Sequence, residues 1–164
     1  MLGGAANVAL NLRMLGTRTS LFGRIGADAG GNRLKQLLSE AQVKWLGDSV
    51  PPAKDTILKT RVVARHQQLC RLDREGRRAD YALEAADWKQ LIEKLLPGSS
   101  GIVLSDYAKG VIDNNFLSVL REQADARKIP VFCDPKPKSG RDFSRLELLT
   151  PNRGEAIAMS GLDW

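Results

Sequence analysis

The sequence predicts an α/β protein. Its expected fold is a mainly parallel sheet with helices on both faces, plus a small β flap at about residues 55–75. Three observations carry this. Short apolar runs such as Ile102-Val103-Leu104 alternate with stretches of helical apolar spacing such as Trp88, Leu91, Ile92 and Leu95, as in βαβ units. Three of the apolar runs open directly into polar loops. Residues 56–73 alone follow a rough period of two.

The chain enters a helix almost at once. Ala5, Val8, Ala9, Leu12 and Leu15 share helical spacing, and Gly16 is a natural stop. A strand is expected at 19–25. A turn follows at 26–31, where Asp28 is placed to cap a helix bearing Leu34, Leu37, Leu38 and Ala41. Another strand is expected at 43–46, then a break at Pro51-Pro52. In the flap, Leu58, Val62 and Ala64 share one parity and Lys59, Arg61 and Arg65 the other, with 67–73 as the pairing strand. Such a flap is either a lid or an edge hairpin without a role. A helix at 85–96 ends before Pro97-Gly98, and Asp113 is placed to cap a helix carrying Phe116, Leu117, Leu120 and Ala124. The run to Cys133, a Pro/Lys/Gly loop to about Arg141, the run to Thr150 and a helix from Asn152 complete the order.

The 164 residues allow one domain with a real core, and 43% hydrophobic with 27% charged residues is ordinary for a globular protein. The net charge of +6 is spread along the chain without interleaved aromatics, which suits an anionic small substrate better than nucleic acid. No apolar run is long enough to span a membrane, and no signal peptide is apparent. Cys70 and Cys133 form no CxxC pair, so a reducing, cytoplasmic location is expected.

In an open α/β sheet, ligands bind beyond the carboxyl ends of the strands. Three neighbouring strands would deliver Asp106, Lys109, Asp134, Lys136 and Asn152 to one edge. Asp106 is either a cap or a site carboxylate, and Asp113 is better placed as the cap. Lys109 and Lys136 are either solvated or phosphate-binding point charges. Pro135 keeps Asp134 out of a helix. Asn152 with Glu155 reads, from spacing alone, as a capping box. His66, the sole histidine, has no visible partner and is expected at the surface.

Gly3-Gly4-Ala5-Ala6-Asn7 with Val8-Ala9, Gly26-x-Asp28-x-x-Gly31 and Asn152-x-x-Glu155 together resemble the signatures of the ribokinase-like (PfkB-type) carbohydrate kinases. Four stretches are similar to its D-glycero-D-manno-heptose 7-phosphate kinase branch: residues 65–73, residues 104–110, Asp134-Pro135-Lys136, and Leu149-Thr150-Pro151-Asn152. The resemblance covers essentially the whole chain. It implies a ribokinase-like fold and ATP- and Mg²⁺-dependent phosphorylation of the anomeric hydroxyl, in lipopolysaccharide core precursor synthesis. Gly3, Gly4 and Asn7 would line the sugar pocket. Asp106, Lys109, Asp134 and Lys136 would bind substrate. Asn152 and Glu155 would organise nucleotide phosphates and Mg²⁺, Glu155 through water. The flap would be a sugar lid and a homodimer contact.

The family's first strand and its later Gly-Ala-Gly-Asp segment have no counterpart here. The chain is therefore expected to be a central part of the kinase domain, with the catalytic base outside it and poor turnover alone. Two other readings remain: a kinase of the same family acting on another sugar or sugar phosphate, and a sugar-binding or dimerisation module without catalysis.

Overall fold

The computed structural model describes residues 1–137 and 140–161. Of the loop expected up to Arg141, residues 138–139 lie outside the described residues. Two compact units divide the chain, Met1–Tyr81 and Ala82–Trp164.

The first unit begins with α1 (Ala5–Met14), whose N-cap is Gly4 at φ 55° and ψ −139°, a conformation open to glycine. Its buried stripe is Leu2, Ala6 and Ala9, one step round from the expected face. Leu15 is exposed because it lies at the C-cap, past the last turn. Strands β1 (Ser20–Leu21) and β2 (Lys44–Trp45) pair in parallel around α2 (Ala29–Glu40). They are shorter than the sequence reading expects, yet parallel contacts continue past them. Lys44 N donates to Thr19 O at 3.0 Å, Leu46 N to Leu21 O at 2.9 Å, and Ala53 N to Ile25 O at 2.8 Å. Leu38 and Val43 join the α1 stripe, with Leu34, Leu37 and Ala41 packed against it, so the α2 face falls where its spacing put it.

Asp28 caps α2, accepting from Gly31 N at 2.8 Å. Its other oxygen accepts from Thr56 N at 2.9 Å and Arg74 Nη2 at 3.3 Å. Gly26 N in turn donates to Thr56 Oγ1 at 3.0 Å. A Cβ on Gly31 would lie 2.3 Å from Gly26 O, so this tie needs glycine there. One carboxylate thus holds a helix start together with both ends of the hairpin formed by β3 (Leu58–Ala64) and β4 (Gln67–Arg74).

That hairpin is antiparallel, with a register shift after Val62. Its two-residue tip has Arg65 at φ 46° and His66 at φ 69°. Asn-Gly is the usual choice for such a tip, so two larger side chains there carry left-handed strain of roughly 1 kcal/mol each. From Lys59 onward every hairpin residue is exposed. The expected single wet face is therefore a hairpin wet on both faces.

In the second unit, α3 (Ala85–Leu95) and α4 (Asn114–Ala126) pack through Trp88 and Phe116, whose stacked rings lie 4.1 Å apart. Asp113 caps α4, accepting from Phe116 N at 2.7 Å. Strands β5 (Ile102–Ser105), β6 (Val131–Asp134) and β7 (Leu148–Leu149) form a parallel sheet in that order. The helix α5 (Arg153–Ser160) follows β7. Among the described residues, no helix is long and apolar enough to cross a membrane.

The ties to Thr56, Gly31 and Arg74 lower the Asp28 pKa from 3.8 to about 2. A lowered carboxylate pKa contributes stability above the unfolded value that is lost as pH falls through the folded one. Asp28→Asn should therefore be less stable than wild type at neutral pH. The gap should close between about pH 4 and pH 2. Chemical denaturation across that range checks this.

Candidate active site at the strand ends

The parallel order of β5, β6 and β7 places their carboxyl ends side by side. Ser105 is in register with Asp134, and Asp106 N donates to Asp134 O at 3.0 Å. Thr150 N donates to Cys133 O at 3.0 Å, which brings the approach to α5 to the same edge.

Asp106 is only 3% exposed. One carboxylate oxygen accepts from Ala108 N at 2.7 Å, and the other pairs with Arg141 Nη1. The Arg141 side chain is 4% exposed, and its Nε donates to Ile112 O at 2.6 Å. A buried carboxylate needs such a partner, since an unpaired buried charge is costly. The pair ties the β5–α4 loop to the segment that precedes β7. Lys109 lies half-buried in that loop.

Asn152 and Glu155 form the expected capping box. Asn152 Oδ1 accepts from Glu155 N at 3.0 Å, and Glu155 Oε2 accepts from Asn152 N at 2.9 Å. The other Glu155 oxygen pairs with Lys136 Nζ. Lys136 holds the Glu155 pKa below its ordinary value, and Glu155 holds the Lys136 pKa above its own. Asp134 moves the other way. Burial raises its pKa, the neighbouring Glu155 raises it further, and Lys136 only partly offsets this. The edge therefore carries carboxylates at two different proton affinities beside the half-buried Lys136 ammonium. Burial with the Asp106 and Asp134 charges pushes the Cys133 thiol up to about 12, too high for a nucleophile at neutral pH.

Five residues singled out in the sequence thus meet at one edge of the second unit: Asp106, Asp134, Lys136, Asn152 and Glu155. Gly3, Gly4 and Asn7 lie in the first unit, at the start of α1. Asn7 is exposed, a Cβ on Gly3 would meet nothing within 4 Å, and α1 has no side-chain cap at Gly4. The sequence reading missed Arg141 because nothing in spacing links residues 35 positions apart.

Removing one member of a buried pair typically costs about 3–5 kcal/mol. Arg141→Met should lower the melting temperature sharply, and Asp106→Asn should do so as well. Asp106→Leu combined with Arg141→Met should recover much of the loss. A double variant as unstable as the sum of the two single ones would refute the pairing.

A profile described as pfkB family carbohydrate kinase matches residues 1–163. The "Bifunctional protein HldE" of Magnetococcus marinus is 41% identical over 167 aligned positions, covering 98% of this chain and 34% of the relative. That of Pectobacterium atrosepticum is 42% identical over 165, covering 97% and 32%. The chain therefore spans about a third of the length of these curated relatives. Among solved structures, the tetrameric inhibited form of phosphofructokinase-2 from Escherichia coli superposes with a TM-score of 0.72 at 24% identity, covering 98% of this chain and 53% of that one. A Vibrio cholerae fructokinase with fructose, ADP and calcium bound gives a TM-score of 0.63 at 17% identity, covering 99% and 56%. These two likenesses speak to the fold.

Proposed function

We propose that this chain, which belongs to the pfkB family of carbohydrate kinases, is part of an ATP-dependent kinase that phosphorylates the anomeric hydroxyl of D-glycero-D-manno-heptose 7-phosphate. The observation that carries the reading is the strand-end cluster. Parallel strands bring Asp106, Asp134, Lys136, Asn152 and Glu155 to one edge, with three carboxylates and a half-buried ammonium beside a helix start. Phosphoryl transfer needs positioning and charge stabilisation more than covalent chemistry from the protein, and such an edge suits it. The heptose assignment follows the four stretches quoted above, and the relatives at about 40% identity support it.

Roles follow residue by residue. Gly3, Gly4 and Asn7 bind sugar; the bare N-terminus of α1 and the open space at Gly3 support this. Lys109 and Lys136 supply positive charge to anionic reactants. Asp106 holds the loop that carries Lys109, and Asp134 meets a sugar hydroxyl. Asn152 and Glu155 orient the nucleotide phosphates. Magnesium fits this donor set. Glu155 and Asp134 are hard oxygen donors whose mutual repulsion raises the Asp134 pKa, and a divalent cation would relieve it. Glu155 would hold the ion through water, and the ion would neutralise charge on the phosphates.

The hairpin acts as a lid, and its apolar face meets a second copy of the chain. Leu58, Thr60 and Val62 lie opposite Arg74, Leu72 and Cys70, with Leu72 61% exposed. A lone two-stranded hairpin is marginal in water, so cover is needed. ATP as substrate and two unpaired thiols support a cytoplasmic location.

The test is the purified product of the complete reading frame, assayed with Mg-ATP. It should phosphorylate heptose 7-phosphate in preference to fructose 6-phosphate. The latter stands for the other sugar phosphates that a carbohydrate kinase of this family could take. The product should sediment as a dimer, and as a monomer after Leu72→Asp. Preference for fructose 6-phosphate would move the substrate within the family, and transfer to neither would overturn the kinase reading.

A further inference from the structure

Glu155 uses its two carboxylate oxygens differently. Oε2 accepts from Asn152 N at 2.9 Å and closes the capping box of α5. Oε1 pairs with Lys136 Nζ. The two partners differ in freedom. The Glu155 side chain is 11% exposed and is fixed by the box, whereas that of Lys136 is 44% exposed. Lysine carries a compact charge on a flexible four-carbon stem, so its head can leave while the backbone stays. Burial and the Glu155 charge raise the Asp134 pKa, which puts the two carboxylates within electrostatic reach of each other. Two carboxylates thus share one ammonium, and the cluster falls one positive charge short of balance.

We propose that Lys136 is a built-in counter-ion, holding Glu155 Oε1 until a hydrated divalent cation takes its place. The inference rests on the kinase reading, which assigns Glu155 to Mg²⁺ through water, and it adds an exchange to that assignment. Asp134 and Glu155 call for two positive charges, and the ammonium supplies one. Because Mg²⁺ keeps several of its waters when bound, Oε1 can trade the Nζ–H donor for a water O–H. The capping box stays closed, since Oε2 takes no part. The displaced ammonium remains tethered at the strand-end edge and turns to the nearest anion, a nucleotide phosphate. Metal and nucleotide then bind with positive coupling, and such coupling is reciprocal. Lys136 therefore opposes the metal on its own and favours the phosphate that comes with it.

Mn²⁺ binding to the nucleotide-free chain, counted by the electron paramagnetic resonance signal of the free ion, tests this. Lys136→Met removes the competitor and should bind Mn²⁺ roughly two- to fivefold more tightly, the range that a partly exposed ion pair supplies. The same variant should bind Mg-ATP more weakly. A lysine that only binds phosphate predicts the second effect without the first. Arg153→Met loses the same charge from an exposed position beside Asn152 and should leave Mn²⁺ affinity nearly unchanged. A further readout keeps Lys136 in place. In lysine side-chain NMR its ammonium signal should shift when Mg²⁺ is added, and should stay still in Glu155→Gln. Unchanged or weaker Mn²⁺ binding by Lys136→Met, an equal gain in Arg153→Met, or a Lys136 signal that ignores Mg²⁺ would each overturn the exchange. Its failure and that of the kinase reading are distinct outcomes. Tighter Mn²⁺ binding by Lys136→Met, with no sugar phosphate turned over by the complete product, keeps the exchange and removes the kinase reading. Heptose 7-phosphate turnover with a Mn²⁺ affinity indifferent to Lys136 keeps the kinase and removes the exchange.

Discussion

The buried ion pair between Asp106 and Arg141 is the constraint on which the strand-end edge depends. Charges this deep stay ionised only when paired and hydrogen-bonded. Here Ala108 N and Ile112 O complete the set. The loop after β5 is thereby fixed to the segment before β7, across the top of β6. Asp134 ends β6, and Lys136 follows it. The deep carboxylate is committed to structure, while the Lys136–Glu155 pair is less deeply buried. The edge is built from an inner pair that positions and an outer pair that the proposed function assigns to ligand.

The first unit uses the same device at lower cost. Asp28 is only partly buried, so its charge needs less compensation, yet it joins the α2 start to Thr56 and Arg74 at the two ends of the hairpin. The hairpin beyond that tie has no buried residue. It is anchored at its base, and along its length it is held by its own ladder and the Arg71–Asp73 pair rather than by a packed core. An element of this kind opens more readily than a packed core, as lids and binding loops do.

Much of this was legible in the sequence. Strand–helix alternation gives the parallel pairs because buried strands read as apolar runs, and Asp28 and Asp113 cap as a carboxylate before a helical stripe should. Asn152 and Glu155 make their box because the residues that bond are three apart. Local chemistry is what sequence spacing encodes. The misses are all non-local. Arg141 reaches Asp106 from another loop, and Thr56 and Arg74 reach Asp28 from the hairpin base. The buried α1 stripe includes Leu2, ahead of the helix, which the helical spacing alone did not bring in. In the hairpin, alternation correctly announced strands but not burial. Period two records which residues share a face, and only a partner decides whether that face is covered.

The central claim is that the carboxyl edge of β5, β6 and β7 is where reactants bind. The opposite end of β6 offers a rival, a cavity of about 330 Å³ lined by Arg121, Asp125, Lys128, Val131 and Arg145. Backbone amide shift mapping by NMR, with Mg-ATP added to the isotopically labelled chain, separates the two most directly. The account predicts that the largest shifts fall on residues 105–109, 134–136 and 152–155. Shifts concentrated on Arg121, Lys128 and Arg145, with the strand-end residues unmoved, would contradict it.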